Sequence, residues 1–387
     1  MAEGDPPVAE DGAAIIARVG TGISAIDAAA WDALHDGSNP FVTHAFLAML
    51  EESGSVGPGT GWQAAPILID APDGTLAAAA PAYLKAHSQG EYVFDQSWAD
   101  AWQRAGGSYY PKLQIAVPFT PVPGPRVLAA DTASGAALIA AAEALVRQND
   151  LSSAHATFVN EDQIDLFRAA GWLIRQDCQF HWHNDSYADF DGFLATLSAQ
   201  KRKQLRKERA RAAADVTIEV LSGDAILPHH WDAMWDFYQD TGARKWGQPY
   251  LTRTFFTLLS QRMADAVILV LASQDGEAVA GALHFVGRDT LYGRYWGCRR
   301  DIPMLHFELC YYQAIDIAIA RGLSRVEAGA QGGHKLARGY VPSATWSAHY
   351  LPDEGFRRAV ADFLERERAA VGSEMAWLAQ RTPFRKI

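Results

Sequence analysis

A chain of 387 residues, 49% apolar and 20% charged, exceeds one small core and has the balance of an ordinary folded protein, so two domains are the first expectation. Its 34 basic and 45 acidic residues leave a formal charge of −11, which excludes a surface basic throughout and means that any polyanion has to be bound locally. Cys178, Cys298 and Cys310 show no CxxC spacing, which excludes a disulfide framework and a cysteine zinc site, and the longest apolar run, residues 266–272, falls far short of the ~20 residues a membrane helix needs.

Residues 1–14 lack both the basic and the apolar segments of a secretion signal, so they read as a disordered lead-in to a cytoplasmic protein. Helices are expected over residues 25–35 and, capped by Thr43, over 43–53. Residues 65–84, APILIDAPDGTLAAAAPAYL, place the Asp73-Gly74 pair between two apolar runs. Asp-Gly supplies the positive φ angles of tight hairpin turns, so this is a β-hairpin.

The pattern recurs at residues 267–286, VILVLASQDGEAVAGALHFV, with Asp275-Gly276 at the turn. Residues 92–94 are a candidate counterpart of 294–296. A helix and a short strand then follow in each half, over 136–149 and 151–158 in the first and over 307–321 and 323–328 in the second. Aromatic residues close both series: Phe180, Trp182 and His183 in the first, Trp346 and His349 in the second. So long an ordered match indicates an internal duplication of one α/β unit, joined near residue 186. The expected domains are therefore 15–185 and 186–387, the second beginning with a basic helix at 198–211, SAQKRKQLRKERAR. That helix, with Leu194, Leu197 and Leu205 as its buried stripe, is either a solvated charged surface or a local seat for phosphates.

The polar chemistry concentrates in residues 326–340, VEAGAQGGHKLARGY, where a strand end feeds a glycine-rich loop carrying Gln331, His334, Lys335, Arg338 and Tyr340. Ligands of open α/β sheets bind outside strand ends, and Lys and Arg suit anionic groups. Earlier, YGRYWGC ends a strand with glycines around Arg294, Tyr295 and Trp296, the pattern of a bulge or of close approach by a ligand. It leads into a helix whose first turns hold His306, Glu308, Tyr311 and Tyr312, a position suited to an anion or a carbonyl. In RKWGQPYL, Trp246 and Tyr250 flank Gly247 and Pro249 and form a rigid aromatic turn that either walls a pocket or tucks onto the core. His181 and His183 share a strand face, but no third ligand is spaced to join them, so no metal is expected. GxSxG, GxGxxG and Walker A motifs are all missing, which argues against a serine hydrolase and against NAD or ATP as cofactor.

The series EYVFD, YYPKLQIAVPFTPVPGPR, GRYWGC, HFELCYYQAID and EAGAQGGHKLARGY resembles the FemAB-like family of predicted N-acyltransferases, or peptidoglycan biosynthesis/recognition proteins, from about residue 39 to 367. The resemblance implies two tandem GNAT-like domains. It implies amide formation by transfer of an acyl or aminoacyl group to an amine acceptor, small or lipid-linked, with tRNA a possible partner. The cosubstrate is acyl-CoA or aminoacyl-tRNA, and no cofactor is held permanently. CRRDIPMLHFE lacks the glycine-rich acetyl-CoA loop of ordinary GNAT enzymes, and residues 189–214 are short for the helical insert of tRNA-using relatives, so both donors stay open.

For this reaction, Glu327 or His334 is expected as base and Tyr340 or Tyr295 as donor to the leaving group. Lys335, Arg338, Gln331, His306 and Glu308 would hold the anionic donor. Trp246, Tyr250, Trp296, Tyr92 and Trp98 would shape the acceptor site, with Tyr109 and Lys112 behind them. The alternative is a non-catalytic module of the same fold that binds a cell-wall or lipid precursor.

Overall fold

The computed structural model describes residues 16–245, 249–329 and 332–385. Among these residues fifteen strands form two sheets. In the first half they are β1 (Ile16–Val19), β2 (Trp62–Ala64), β3 (Ile67–Asp70), β4 (Leu76–Ala80), β5 (Ala82–Lys85), β6 (Lys112–Ile115), β7 (Leu128–Ala129), β8 (Ala154–Val159) and β9 (Leu173–His183). The second half contributes β10 (Thr217–Ser222), β11 (Val267–Gln274), β12 (Glu277–Val286), β13 (Thr290–Cys298), β14 (Arg325–Glu327) and β15 (Val341–Tyr350).

Both Asp-Gly hairpins form. Asp275 and Gly276 take φ of 54° and 81°, the paired left-handed conformation of a two-residue turn, and β11 and β12 zip together from it. The first hairpin has a longer loop between Asp70 and Leu76, with only Gly74 left-handed. Residues 92–94 are not a strand, because Tyr92 itself sits at φ 60°. The counterpart of β13 is β6: each is the strand that runs parallel to the next one in its half, β6 to β8 and β13 to β14.

A small sheet has the order β1-β3-β4-β7, and a large one runs β10-β11-β12-β13-β14-β9-β15-β8-β6-β5-β2. At its centre the two late aromatic strands have exchanged halves. β9 pairs with β14 of the second half, and β15 crosses back to pair with β8 of the first. Between them β9 and β15 share a nine-residue antiparallel ladder, so a single sheet runs through both halves.

One face of the second-half sheet is covered by the helices His44–Glu52, Pro228–Lys245 and Arg253–Arg262, whose core mixes Phe41, Phe46 and Trp62 with Phe255, Phe285 and Tyr292. The opposite face carries Phe190–Thr196, Ala199–Ala212 and the helical run from Leu305 to Ala320. Leu205 is the one leucine of the expected stripe that lies on the basic helix Ala199–Ala212. Leu194 and Leu197 belong to the preceding helix and its connection, and are buried there. No helix among the described residues is long and apolar enough to cross a membrane.

The helix Pro228–Lys245 lies against β13 at Gly297, where a Cβ would come within 2.1 Å of the Phe237 carbonyl oxygen. That neighbour is backbone and cannot rotate away. Gly297→Ala is therefore expected to lower stability by about 1–3 kcal/mol in urea denaturation. A variant as stable as the parent would show that helix and strand are not in contact there.

Candidate functional site

β13 and β14 pair only over Thr290–Tyr292 and Arg325–Glu327, and then part. A short parallel pair that diverges leaves a gap at strand ends, where a ligand can reach main chain from both sides. A cavity of about 790 Å³ occupies this gap, and Gly293 and Ala328 are the first residues past the split to line it. β13 carries a bulge at the same place: His284 faces Gly293 and Leu283 faces Tyr295, so Arg294 is the extra residue outside the ladder.

The cavity has a different wall on each face of the sheet. On one face stand Tyr92, Phe119, Tyr238, Tyr250 and Tyr295, with the Tyr250 ring stacked on Phe119 at 4.8 Å and 7°. Tyr238 meets Tyr295 edge-on at 5.3 Å. On the other face are Trp296, His306, Tyr311 and His334, with the His306 ring 5.1 Å from Trp296 and 5.4 Å from Tyr311.

This second wall depends on a distorted helix. After Met304, at φ 70°, the chain turns through Leu305–Phe307, widens into a π turn at Glu308–Tyr312 and continues as Gln313–Ala320. A π turn adds a residue to the helical circuit and re-aims the side chains around it. Here Cys310 and Tyr311 reach the cavity. The Tyr311 hydroxyl is hydrogen-bonded to His334 Nε2 at 2.9 Å. His334 rides on the short 3-10 helix Gly333–Arg338 with its ring exposed. Partial burial, aided by the charges of Arg338 and Lys335, lowers its pKa from the usual 6.5, so the ring is neutral at pH 7 and able to accept a proton.

Several residues expected at the site lie elsewhere, each for a visible reason. Lys335 is buried, and its Nζ donates to the Gly329 carbonyl at 2.7 Å; burial pulls its pKa down to about 8. Arg338 is buried as well, donating to the His334 carbonyl and to Glu208 Oε2, both at 2.8 Å, with its guanidinium 3.4 Å from the Phe307 ring centre. These two cations hold the loop that presents His334 and are not free to seat an anion. Glu308 is tied to Arg209 and Gln313, each at 2.8 Å. Tyr340 is wholly buried, and its hydroxyl donates to the Tyr311 carbonyl at 3.5 Å, so it supports the wall from behind.

Glu327 sits one residue before the split, opposite His181 and 3.1 Å from Arg325 Nε, and does not line the cavity. Burial pushes its carboxyl up to about 7. Trp98, Tyr109 and Lys112 belong to a separate buried cluster, where Trp98 packs edge-on against His349 at 4.9 Å and Lys112 bonds Glu91 and Asp95. Gln331 and Trp246 lie outside the described residues. The cavity thus gathers Tyr295, His334, His306, Tyr250, Trp296 and Tyr92 from the sequence reading, and adds Arg294, Tyr238, His284 and Asp177. The glycines around Arg294 were the sequence signal for the bulge. Nothing local marked Asp177, which arrives on the exchanged strand β9.

The sequence profile of the FemAB-like family, described as peptidoglycan biosynthesis/recognition, matches residues 22–386. No curated protein matches the chain. Among solved structures, FemX is similar at 12% identity over 87% of this chain and 98% of its own, with a TM-score of 0.53. L-PGS from Bacillus licheniformis matches at 11% identity over 88% and 96%, with a TM-score of 0.50. A conserved protein of unknown function from Bacteroides thetaiotaomicron VPI-5482 matches at 12% over 87% and 99%, with a TM-score of 0.51. At such identities the likeness is one of fold, an α/β architecture of two tandem GNAT-like halves.

Proposed function

This chain belongs to the FemAB-like family, and from that premise we propose that it is an N-acyltransferase forming an amide between an acyl or aminoacyl donor and an amine acceptor. The observation that carries this reading is the Tyr311–His334 pair, set at the split between β13 and β14 in a cavity lined from both faces of the sheet.

In the proposed step the neutral amine nitrogen attacks the donor carbonyl carbon. A C–N bond forms, and the carbon–sulfur bond of a thioester, or the ester carbon–oxygen bond of an aminoacyl-tRNA, breaks. The amine proton passes through the Tyr311 hydroxyl to His334 Nε2, and then to the departing thiolate or alkoxide. Burial raises the Tyr311 phenol above the usual 10, so it relays the proton and does not ionise.

A phosphate-rich donor, acyl-CoA or aminoacyl-tRNA, fits the face that carries His334. The basic helix is bolted to that wall through Glu208–Arg338 and Arg209–Glu308, both at 2.8 Å, while Lys203, Lys207 and Arg211 stay exposed. The acceptor is an amine on a small molecule or a lipid-linked cell-envelope precursor, by analogy with the family's description.

The test is intact-ligand mass spectrometry with acyl-CoA, acyl-carrier-protein and aminoacyl-tRNA donors. Retention of one donor class is expected, weakened by salt and by a Lys203→Ala, Lys207→Ala, Arg211→Ala triple variant. A folded protein that retains none would turn the reading to the non-catalytic, precursor-binding module.

A further inference from the structure

Arg294 lines the cavity with no carboxylate in ion-pairing range among the described residues. As the extra residue of the bulge, it turns toward the tyrosine-walled face. One N–H, from Nη2, donates to the Phe119 carbonyl at 2.7 Å, and the guanidinium lies 5.4 Å from the Tyr295 ring centre with the Tyr295 hydroxyl against it. Its Nε is buried without a hydrogen-bond partner. Glu327 is near enough to feel its charge but makes no ion pair with it, being engaged by Arg325.

A half-buried guanidinium has given up part of its hydration, and leaving its donors unmatched is costly. Its planar fork matches the two oxygens of a carboxylate or phosphate. The phenols of Tyr92, Tyr238 and Tyr250 share this wall, although the Tyr238 hydroxyl already accepts from the Leu251 N–H at 3.0 Å. Among the described residues, apart from histidines, the only other formally charged one lining the cavity is Asp177, on β9. One cation and one carboxylate in a single cavity complement a ligand that carries an anionic oxygen group and an ammonium.

We propose that Arg294 is the seat of an anionic oxygen group, a carboxylate or a phosphate, borne by the amine acceptor. This rests on the transfer reading for the word acceptor: the seat lies on the face opposite the basic helix and His334, where the donor is placed. The acceptor is then an amino acid-like or phosphate-bearing amine, and a simple alkylamine lacking the anion is a poor ligand.

Equilibrium binding measured by calorimetry, without any donor, tests the seat. The probes are the common α-amino acids, each paired with its own amide, and O-phosphoethanolamine paired with ethanolamine. At least one acid is expected to bind about tenfold or more tighter than its neutral partner. Arg294→Gln should erase that ratio and Arg294→Lys should keep part of it, with circular dichroism confirming that both fold. The amino acid arm and the phosphate arm identify which oxyanion is held.

Equal binding of acids and their neutral partners, a ratio that survives in Arg294→Gln, or binding of no probe overturns the proposal. Donor retention is read separately. A retained donor with no discrimination among amines leaves the transfer reading standing and removes the seat. Discrimination without a retained donor does the reverse.

Discussion

Replacing His334 by alanine is expected to slow acyl transfer by about 10²–10⁴-fold, the usual worth of a positioned general base, with the fold unchanged because the ring is exposed and packs no core. The reading comes from single-turnover kinetics with whichever donor the protein retains. Its pH dependence has a definite sign. Burial and the adjacent cations hold the ring below the usual 6.5, so the acid limb of kcat/KM should fall off below pH 6.5. Tyr311→Phe removes the hydroxyl bonded to His334 and, on the proposed relay, should lose part of the same rate. Glu327→Gln separates the two candidate bases: its carboxyl lies off the cavity, so turnover should survive. Loss of turnover in Glu327→Gln with full activity in His334→Ala would reverse the assignment.

The largest stability effect is expected far from the cavity, at Lys112. This ammonium is fully buried and bonds Ser88 Oγ and Glu91 Oε2, each at 2.8 Å, together with Asp95. Tyr109 donates to the same Asp95 at 2.7 Å, and His155 and His349, linked at 2.7 Å, close the cluster against Trp98. Lys112→Met leaves the buried Asp95 without a lysine partner and Glu91 with Lys85 Nζ alone, at 3.8 Å, a loss of about 3–5 kcal/mol in urea denaturation. Adding Asp95→Asn should recover part of it, because the carboxylate left without a lysine is then gone. A loss below about 1 kcal/mol would show that water reaches the cluster.

Acid should expose the same network. Within it Asp95 is held down from 3.8 to about 2, with burial opposing the pull of Lys112 and His155. Its contribution is therefore complete above pH ~4 and is lost as pH falls toward 2. Glu91 runs the other way: burial lifts it to about 7, so its contribution weakens as pH rises from 4.5 to 7.

The pairing of Lys112 with Glu91 and Asp95 also explains a misplaced expectation. Lys112 and Tyr109 follow the aromatic YYPK run, and an exposed lysine beside aromatics is a sound acceptor-site signal. The signal fails because β6 starts beside β8 and opposite the loop that holds Glu91 and Asp95, where the cation is consumed inside the protein. Lys335 and Arg338 repeat the lesson. Their spacing in a glycine-rich loop is that of an anion seat, yet the 3-10 turn points both inward, toward Gly329 O and Glu208.

What the sequence determined by itself is what depends on near neighbours in the chain. The Asp-Gly turns and the alternation of apolar strands follow from local φ preferences and burial patterns, which act over a few residues. Tertiary structure alone decided which loop cations stay free, that β9 and β15 exchange halves, and that Asp177 from the first half lines the same cavity as Arg294 and His334 from the second. Those outcomes turn on which strand sits beside which. Period-two patterning states that a strand has a buried face but is silent on its partner, and a side chain's charge is spent or spared only once that partner is in place.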